Sequence, residues 1–70
     1  QVELSEAHQK VMAALERLEP QERAIIILRD IEEMNYEEIA VVLEIPIGTV
    51  KSRLSRARMA LREMVVKKHE

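Results

Sequence analysis

Helix-breaking residues are scarce in this chain, and their positions limit what it can fold into. The 70 residues include two prolines and one glycine, Pro20, Pro46 and Gly48. Proline fits the first turn of a helix but not its interior, and it disfavours the α conformation in the preceding residue. The segments between these positions are rich in Ala, Leu, Glu, Arg, Lys and Met, which are good helix formers. The sequence therefore predicts one small all-α domain.

The spacing of apolar residues, in steps of three and four, predicts four helices. We expect them at about residues 5–18, 20–31, 35–43 and 47–66. Ser5 and Asn35 are typical N-cap residues, and Glu38 completes a capping-box-like pair with Asn35. Pro20 suits the first position of the second helix. Because residues 24–28 make that helix apolar on most sides, we expect it to be the central, buried element.

Several classes of protein are disfavoured by composition. The chain has no cysteine, so it has no disulfide framework and no thiolate metal site. No apolar run approaches the length of a membrane span, and no signal-peptide pattern is present, so a cytoplasmic protein is expected. His8 and His69 are far apart in the sequence and have no ligand-spaced neighbours. We therefore predict no metal, no cofactor and no enzymatic activity.

Charge is distributed very unevenly along the chain. Residues 1–46 contain four Lys/Arg and eleven Asp/Glu, a net charge of −7, whereas residues 47–70 contain seven Lys/Arg and two Glu, a net charge of +5. Such asymmetry indicates a polyanionic partner for the second half. A basic helix that merely faces water would show the same charge pattern.

Residues 35–62 combine a short helix, a break and a longer helix. The longer helix has one narrow apolar stripe, formed by Val50, Leu54, Ala57, Leu61 and Met64. Two helices joined by so short a turn form a helix-turn-helix, whose second helix can lie in the major groove of DNA.

A helical wheel sorts the other side chains of the longer helix into a centre and two flanks. The side chains opposite the stripe are Ser52, Ser55, Arg56 and Met59. One flank carries Lys51, Arg58 and Arg62, and the other carries Thr49 and Arg53. Side chains at the centre of such a surface reach base edges, and side chains on its flanks reach phosphates. Gly48, which has no side chain, leaves room for a phosphate at the helix N-terminus. Pairing of this basic helix with an acidic partner helix remains an alternative.

Three segments of the chain closely resemble region 4 of bacterial sigma factors, most of all the extracytoplasmic-function (ECF) group. They read LEPQER at residues 18–23, YEEIA at residues 36–40 and IPIGTVKSRLSRAR at residues 45–58. The resemblance covers about residues 5–66, nearly the whole chain. It implies a sigma region 4-like or winged-helix-like bundle of three to four helices, with a C-terminal helix-turn-helix and no sheet.

The resemblance also implies partners. Region 4 of these factors binds the minus-35 promoter element as double-stranded DNA while the β-subunit flap of core RNA polymerase holds it. Sigma factors of this group are commonly bound by anti-sigma factors as well. We expect an apolar groove for such a partner helix along the second helix and the start of the third, because residues 24–28 are too apolar for small neighbours to cover. No membrane partner is expected.

Residue roles follow from the resemblance, position by position. It implies base contacts by Ser52, Arg53, Ser55 and Arg56. It implies phosphate or supporting contacts by Arg29, Tyr36, Glu37, Gly48, Thr49 and Arg58, to which the wheel adds Arg62. Lys51 falls among the recognition-helix contacts of the family, whereas the wheel turns it towards a groove wall and a phosphate.

Two alternatives to promoter recognition stay open at this point. One is the output domain of a response regulator, which also begins its recognition helix with Thr-Val-Lys. The other is a protein-interaction module bound by an anti-sigma factor. Region 2, which melts and reads the minus-10 element in sigma factors, has no counterpart in the 70 residues, so we expect the chain to be part of a longer sigma factor.

Overall fold

A computed structural model describes residues 5–67 of the chain. The elements are α1 (Glu6–Arg17), α2 (Pro20–Ile26), a π-helical segment (Ile27–Ile31), α3 (Tyr36–Leu43) and α4 (Ile47–Lys67). Residues 5–67 contain no β-strand, so the predicted all-α fold is confirmed. The predicted bounds of the first, third and fourth helices are correct to within one residue at each end.

Two predicted N-caps are present. The Ser5 hydroxyl accepts a hydrogen bond from the His8 amide at 3.1 Å. Asn35 Oδ1 accepts from the Glu38 amide at 2.7 Å, and Glu38 Oε1 accepts from the Asn35 amide at 2.9 Å. These bonds satisfy amides that have no partner inside the helix. They fix where α1 and α3 begin, and Pro20 begins α2 as predicted.

The second helix differs from its prediction, because its last five residues, Ile27–Ile31, are π-helical. The amide of Glu32 donates to the carbonyl of Ile27 at 2.9 Å, a bond across five residues where an α-helix uses four. Beyond it, Glu33 has a φ of 60°, and the Met34 amide donates to the Leu28 carbonyl at 3.0 Å. This is a left-handed helix end, formed here by glutamate rather than the usual glycine.

The core lies where α4 meets the other helices. Ile25, Ile39, Val50, Leu54 and Ala57 are 0–1% exposed. Burying a Val, Leu or Ile side chain stabilises the folded state by about 1.5–3 kcal/mol. Since α1, α2 and α3 all pack against α4, the central element is α4 and not α2, contrary to the prediction.

The turn between α3 and α4 sets the position of α4. Glu44 has a φ of 59°, and the Ile45 amide donates to the Ala40 carbonyl at 3.0 Å. The carbonyl of Pro46 then accepts from the amides of Thr49 and Val50, at 2.9 and 3.1 Å, and so begins α4. Helix, turn and second helix therefore have the predicted arrangement.

Candidate nucleic-acid interface

The outward side of α4 is the strongest candidate for binding. Its apolar stripe is turned inward: Val50, Leu54 and Ala57 are buried, and Leu61 and Met64 pack partly buried against them. The opposite side chains are exposed, and we call them the recognition face: Ser52, Ser55, Arg56 and Met59. The wheel prediction for these positions is confirmed as a matter of geometry. Their roles remain predictions.

The recognition face is chemically suited to base edges. The Ser52 hydroxyl donates to the Thr49 carbonyl at 3.3 Å, which leaves its oxygen able to accept. Arg56 is exposed, and its guanidinium has no hydrogen-bond or ion-pair partner within residues 5–67. A free guanidinium can donate two parallel hydrogen bonds to a guanine. Both donors and acceptors are thus available on one face.

The two flanks of α4 differ in the exposure and ion pairing of their cations. Lys51 and Arg62 are exposed and have no ion-pair partner among the described residues. Arg53 and Thr49, on the other flank, are partly buried. Lys51 and Arg62 are therefore the flank cations most available to a phosphate.

Arg58, on the same flank as Lys51, is held by Asp30 at the end of the second helix. Its Nε donates to Asp30 Oδ2 at 3.3 Å and its Nη2 donates to Oδ1 at 2.5 Å. The hydrogen bond to Asp30 raises the pKa of Arg58, while burial acts in the opposite direction. Asp30 was not identified from the sequence, because no spacing rule joins residues 28 positions apart.

Arg29 and Tyr36 stabilise the connection between the π-helical segment and α3. Arg29 Nη1 donates to the Met34 carbonyl at 3.0 Å, and its guanidinium carbon lies 5.5 Å from the centre of the Tyr36 ring. This cation–π contact and the hydrogen bond hold the connection between the π-helical segment and α3. Glu37, in the first turn of α3, is exposed and lies at the positive end of that helix.

Gly48 lies in the first turn of α4, where it is exposed. Apart from the chain neighbours and the backbone of its own helical turn, a Cβ added to it would meet no atom within 4 Å, and its φ is not positive. Neither packing nor backbone conformation therefore requires glycine here. Open space beside a helix N-terminus is compatible with the close approach of an external phosphate.

An apolar groove lies on a different side of the domain. It has a volume of about 430 Å³ and is lined by His8, Val11, Met12, Leu15, Ile26, Asp30, Ile31 and Leu61. Met12 and Ile31 on its walls are 41% and 52% exposed. The domain is thin, measuring 15 Å along its shortest axis. This groove runs along α1 and the π-helical segment, and α3, which we expected to contribute, supplies none of its lining.

Other kinds of site find no support in the part of the chain that the structure describes. Residues 5–67 contain no group of three or more His, Cys, Asp or Glu side chains able to hold a metal ion. His69 lies outside the described residues. None of the described helices is both long and apolar enough to cross a membrane.

A helix-turn-helix with a polar, basic outward face on its second helix defines the class of DNA-binding helix-turn-helix domains. The family model described as "Sigma-70, region 4" matches residues 8–61. The chain therefore belongs to the sigma-70 region 4 family, and its relatives are of the ECF type.

Curated relatives agree with the family match. The ECF RNA polymerase sigma factor SigE of Mycolicibacterium smegmatis is 46% identical over 57 residues, which are 81% of this chain and 22% of that protein. The ECF RNA polymerase sigma-E factors of Salmonella typhimurium and Escherichia coli are each 43% identical over 56 residues, 80% of this chain and 29% of theirs. The chain thus spans about a quarter of the length of these relatives.

Proposed function

We propose that this chain recognises promoter DNA in transcription initiation, as region 4 of an ECF-type sigma factor, by placing α4 in the major groove of the minus-35 element. The observation behind this proposal is the recognition face of Ser52, Ser55, Arg56 and Met59, exposed opposite the buried stripe of α4. Membership of the sigma-70 region 4 family favours this function over the output domain of a response regulator.

In this proposal the bases are contacted by Ser52, Ser55 and Arg56, with Arg53 at the edge of the face. Lys51 and Arg62 neutralise phosphates on one groove wall, and Gly48 with Thr49 brings the N-terminus of α4 to a phosphate. Arg29, Tyr36 and Glu37 act indirectly. The hydrogen bond and ring contact of Arg29 support this role, because they fix the start of α3, which in turn carries α4.

In this proposal the apolar groove binds RNA polymerase. The relatives are RNA polymerase sigma factors by name, so we assign the groove to a helix of core RNA polymerase. The resemblance to sigma region 4 implies that this helix belongs to the β-subunit flap. Its wall residues Met12 and Ile31 are exposed apolar side chains that an amphipathic helix would cover. An anti-sigma factor helix is the competing occupant.

Binding to DNA tests the proposal directly. Fluorescence anisotropy of the chain with a minus-35 duplex and with a scrambled duplex of equal length should show tighter binding to the minus-35 duplex. Affinity should fall steeply with salt, because a single module buries little surface and depends on phosphate contacts. Equal binding to both duplexes would contradict sequence recognition. Absence of binding to either duplex at low salt would contradict DNA binding altogether.

A further inference from the structure

We propose that Asp30 masks Arg58 and thereby limits how strongly this domain holds DNA of any sequence. The inference rests on the proposed function, since it concerns the flank of the same helix α4. It assigns a role to a residue outside the helix-turn-helix. It also changes the expected role of Arg58 from a phosphate contact to a cation that is withheld.

The geometry of the pair shows how Arg58 is held. Both of its bonds to Asp30 run from the edge of the guanidinium to the two carboxylate oxygens, at 3.3 and 2.5 Å. This is the two-bond arrangement in which arginine matches a carboxylate, and the same donors would bind a phosphate. On the wheel, Arg58 lies about 80° from Val50, closer to the core stripe than to the recognition face. Its charged end is therefore turned towards the second helix.

The shape of the second helix brings Asp30 to this position. Asp30 lies in the π-helical segment Ile27–Ile31, whose wider turn is closed by the hydrogen bond from Glu32 to Ile27 at 2.9 Å. Single π-helical turns within α-helices occur frequently at functional sites. The next residue, Ile31, faces outward beside the groove.

Arg58 differs from the other two cations on its flank of α4 in having an ion-pair partner. Lys51 and Arg62, on the same flank, have no carboxylate partner among the described residues, whereas Arg58 has one. The paired side chains remain 45% and 41% exposed, for Arg58 and Asp30, so their contact is within reach of solvent and of competing ions. Exposed ion pairs contribute little to stability, and removal of one partner leaves such a fold intact. Loss of Asp30 would therefore free Arg58 without unfolding the domain.

Each phosphate that a protein neutralises makes the logarithm of affinity fall by about 0.9 per tenfold rise in salt. A freed Arg58 would add one such contact, and this contact carries no sequence information. Asp30→Asn should therefore tighten binding several-fold to minus-35 and scrambled duplexes alike. The slope of log affinity against log salt concentration, called the salt slope below, should become steeper by about 0.9. The ratio of the affinities for the two duplexes should stay the same.

The experiment compares Asp30→Asn with Glu32→Gln, a matched control that removes the same charge two residues away. The Glu32 carboxylate has no hydrogen-bond or ion-pair partner in residues 5–67. Anisotropy is measured for both duplexes across a salt series, and circular dichroism melts confirm that each variant is folded. Two further proteins are needed, Arg58→Gln and the double variant Asp30→Asn with Arg58→Gln. These two should show the same slope of log affinity against log salt, because the steeper slope of Asp30→Asn requires the freed guanidinium.

Three results would overturn the inference while leaving the proposed function in place. The first is a dependence of affinity on salt that is the same for Asp30→Asn as for the wild type. The second is an increase in DNA affinity for Glu32→Gln as large as that for Asp30→Asn. The third is weaker DNA binding by Asp30→Asn than by the wild type. The last would mean that Asp30 orients Arg58 for DNA instead of withholding it. If the wild-type chain binds no duplex at all, the proposed function fails, and the inference falls with it.

Discussion

The backbone amide of Ile45 donates a hydrogen bond to the carbonyl oxygen of Ala40 at 3.0 Å, and this bond closes the turn of the helix-turn-helix. It requires Glu44, between them, to adopt a φ of 59°. Side chains other than glycine are disfavoured in this left-handed region because Cβ crowds the following carbonyl. The turn that positions the recognition helix is therefore held in place against local strain.

Replacement of Glu44 by glycine should stabilise the domain by about 0.5–1 kcal/mol, because the left-handed conformation costs glycine nothing. Thermal or urea unfolding followed by circular dichroism measures the change. Glu32→Gly is the matched control, since Glu32 has a φ of −82° and gains nothing from glycine. A loss of stability in Glu44→Gly would show that the left-handed backbone is not strained.

Removal of the cap of α3 should destabilise the domain. Asn35→Ala loses the 2.7 Å bond to the Glu38 amide and should cost about 1 kcal/mol. Asn35→Ser, which keeps an acceptor at the cap, should retain most of the stability. The comparison of the two unfolding midpoints decides whether the cap itself matters: equal losses would attribute the effect to something other than this hydrogen bond.

Gly48→Ala should separate folding from DNA binding. The added methyl group meets no atom within 4 Å beyond its own helical turn, and alanine favours a helix, so stability should rise by up to about 1 kcal/mol. DNA affinity should nevertheless fall several-fold if a phosphate lies against this position. The two measurements are a melting curve and a duplex titration. Unchanged affinity would remove Gly48 from the interface.

A charge placed in the apolar groove should prevent binding of the polymerase helix. In an NMR titration with a β-flap peptide, wild-type amide shifts should move around α1 and the π-helical segment. Ile31→Lys should abolish these shifts and leave DNA binding intact. Val41→Lys is the control, because Val41 is 76% exposed on α3 and does not line the groove. Shifts confined to residues 50–62 would contradict the assignment of the groove.

The sequence predicted the helices and the recognition face well for an identifiable reason. Caps and stripes are local: Asn35 and Glu38, or Val50 and Leu54, lie about one helical turn apart, so spacing alone determines their relation. Features that depend on contacts between helices could not be predicted in this way. The central place of α4, the pairing of Asp30 with Arg58 and the position of the groove arise from packing, which no periodicity encodes.

The π-helical turn was not predicted for a different reason. Its residues, Ile27–Ile31, include good helix formers and no proline or glycine, so their propensities do not distinguish an α turn from a π turn. The left-handed backbone of Glu33 and Glu44 was not predicted either, because glutamate favours helices and gives no sign of a positive φ. A glycine at either position would have indicated the left-handed conformation.

The central claim, that the outward face of α4 reads base edges while its flank contacts phosphates, is tested most directly by Arg56→Ala against Lys51→Ala. Both variants are titrated with a panel of duplexes that differ from the best site by single base pairs. Arg56→Ala should cost about 1–3 kcal/mol on the best duplex and lose preference at one or two positions. Lys51→Ala should weaken all duplexes alike and make the salt slope shallower by about one unit. An equal loss across the whole panel for Arg56→Ala would contradict base recognition by this face.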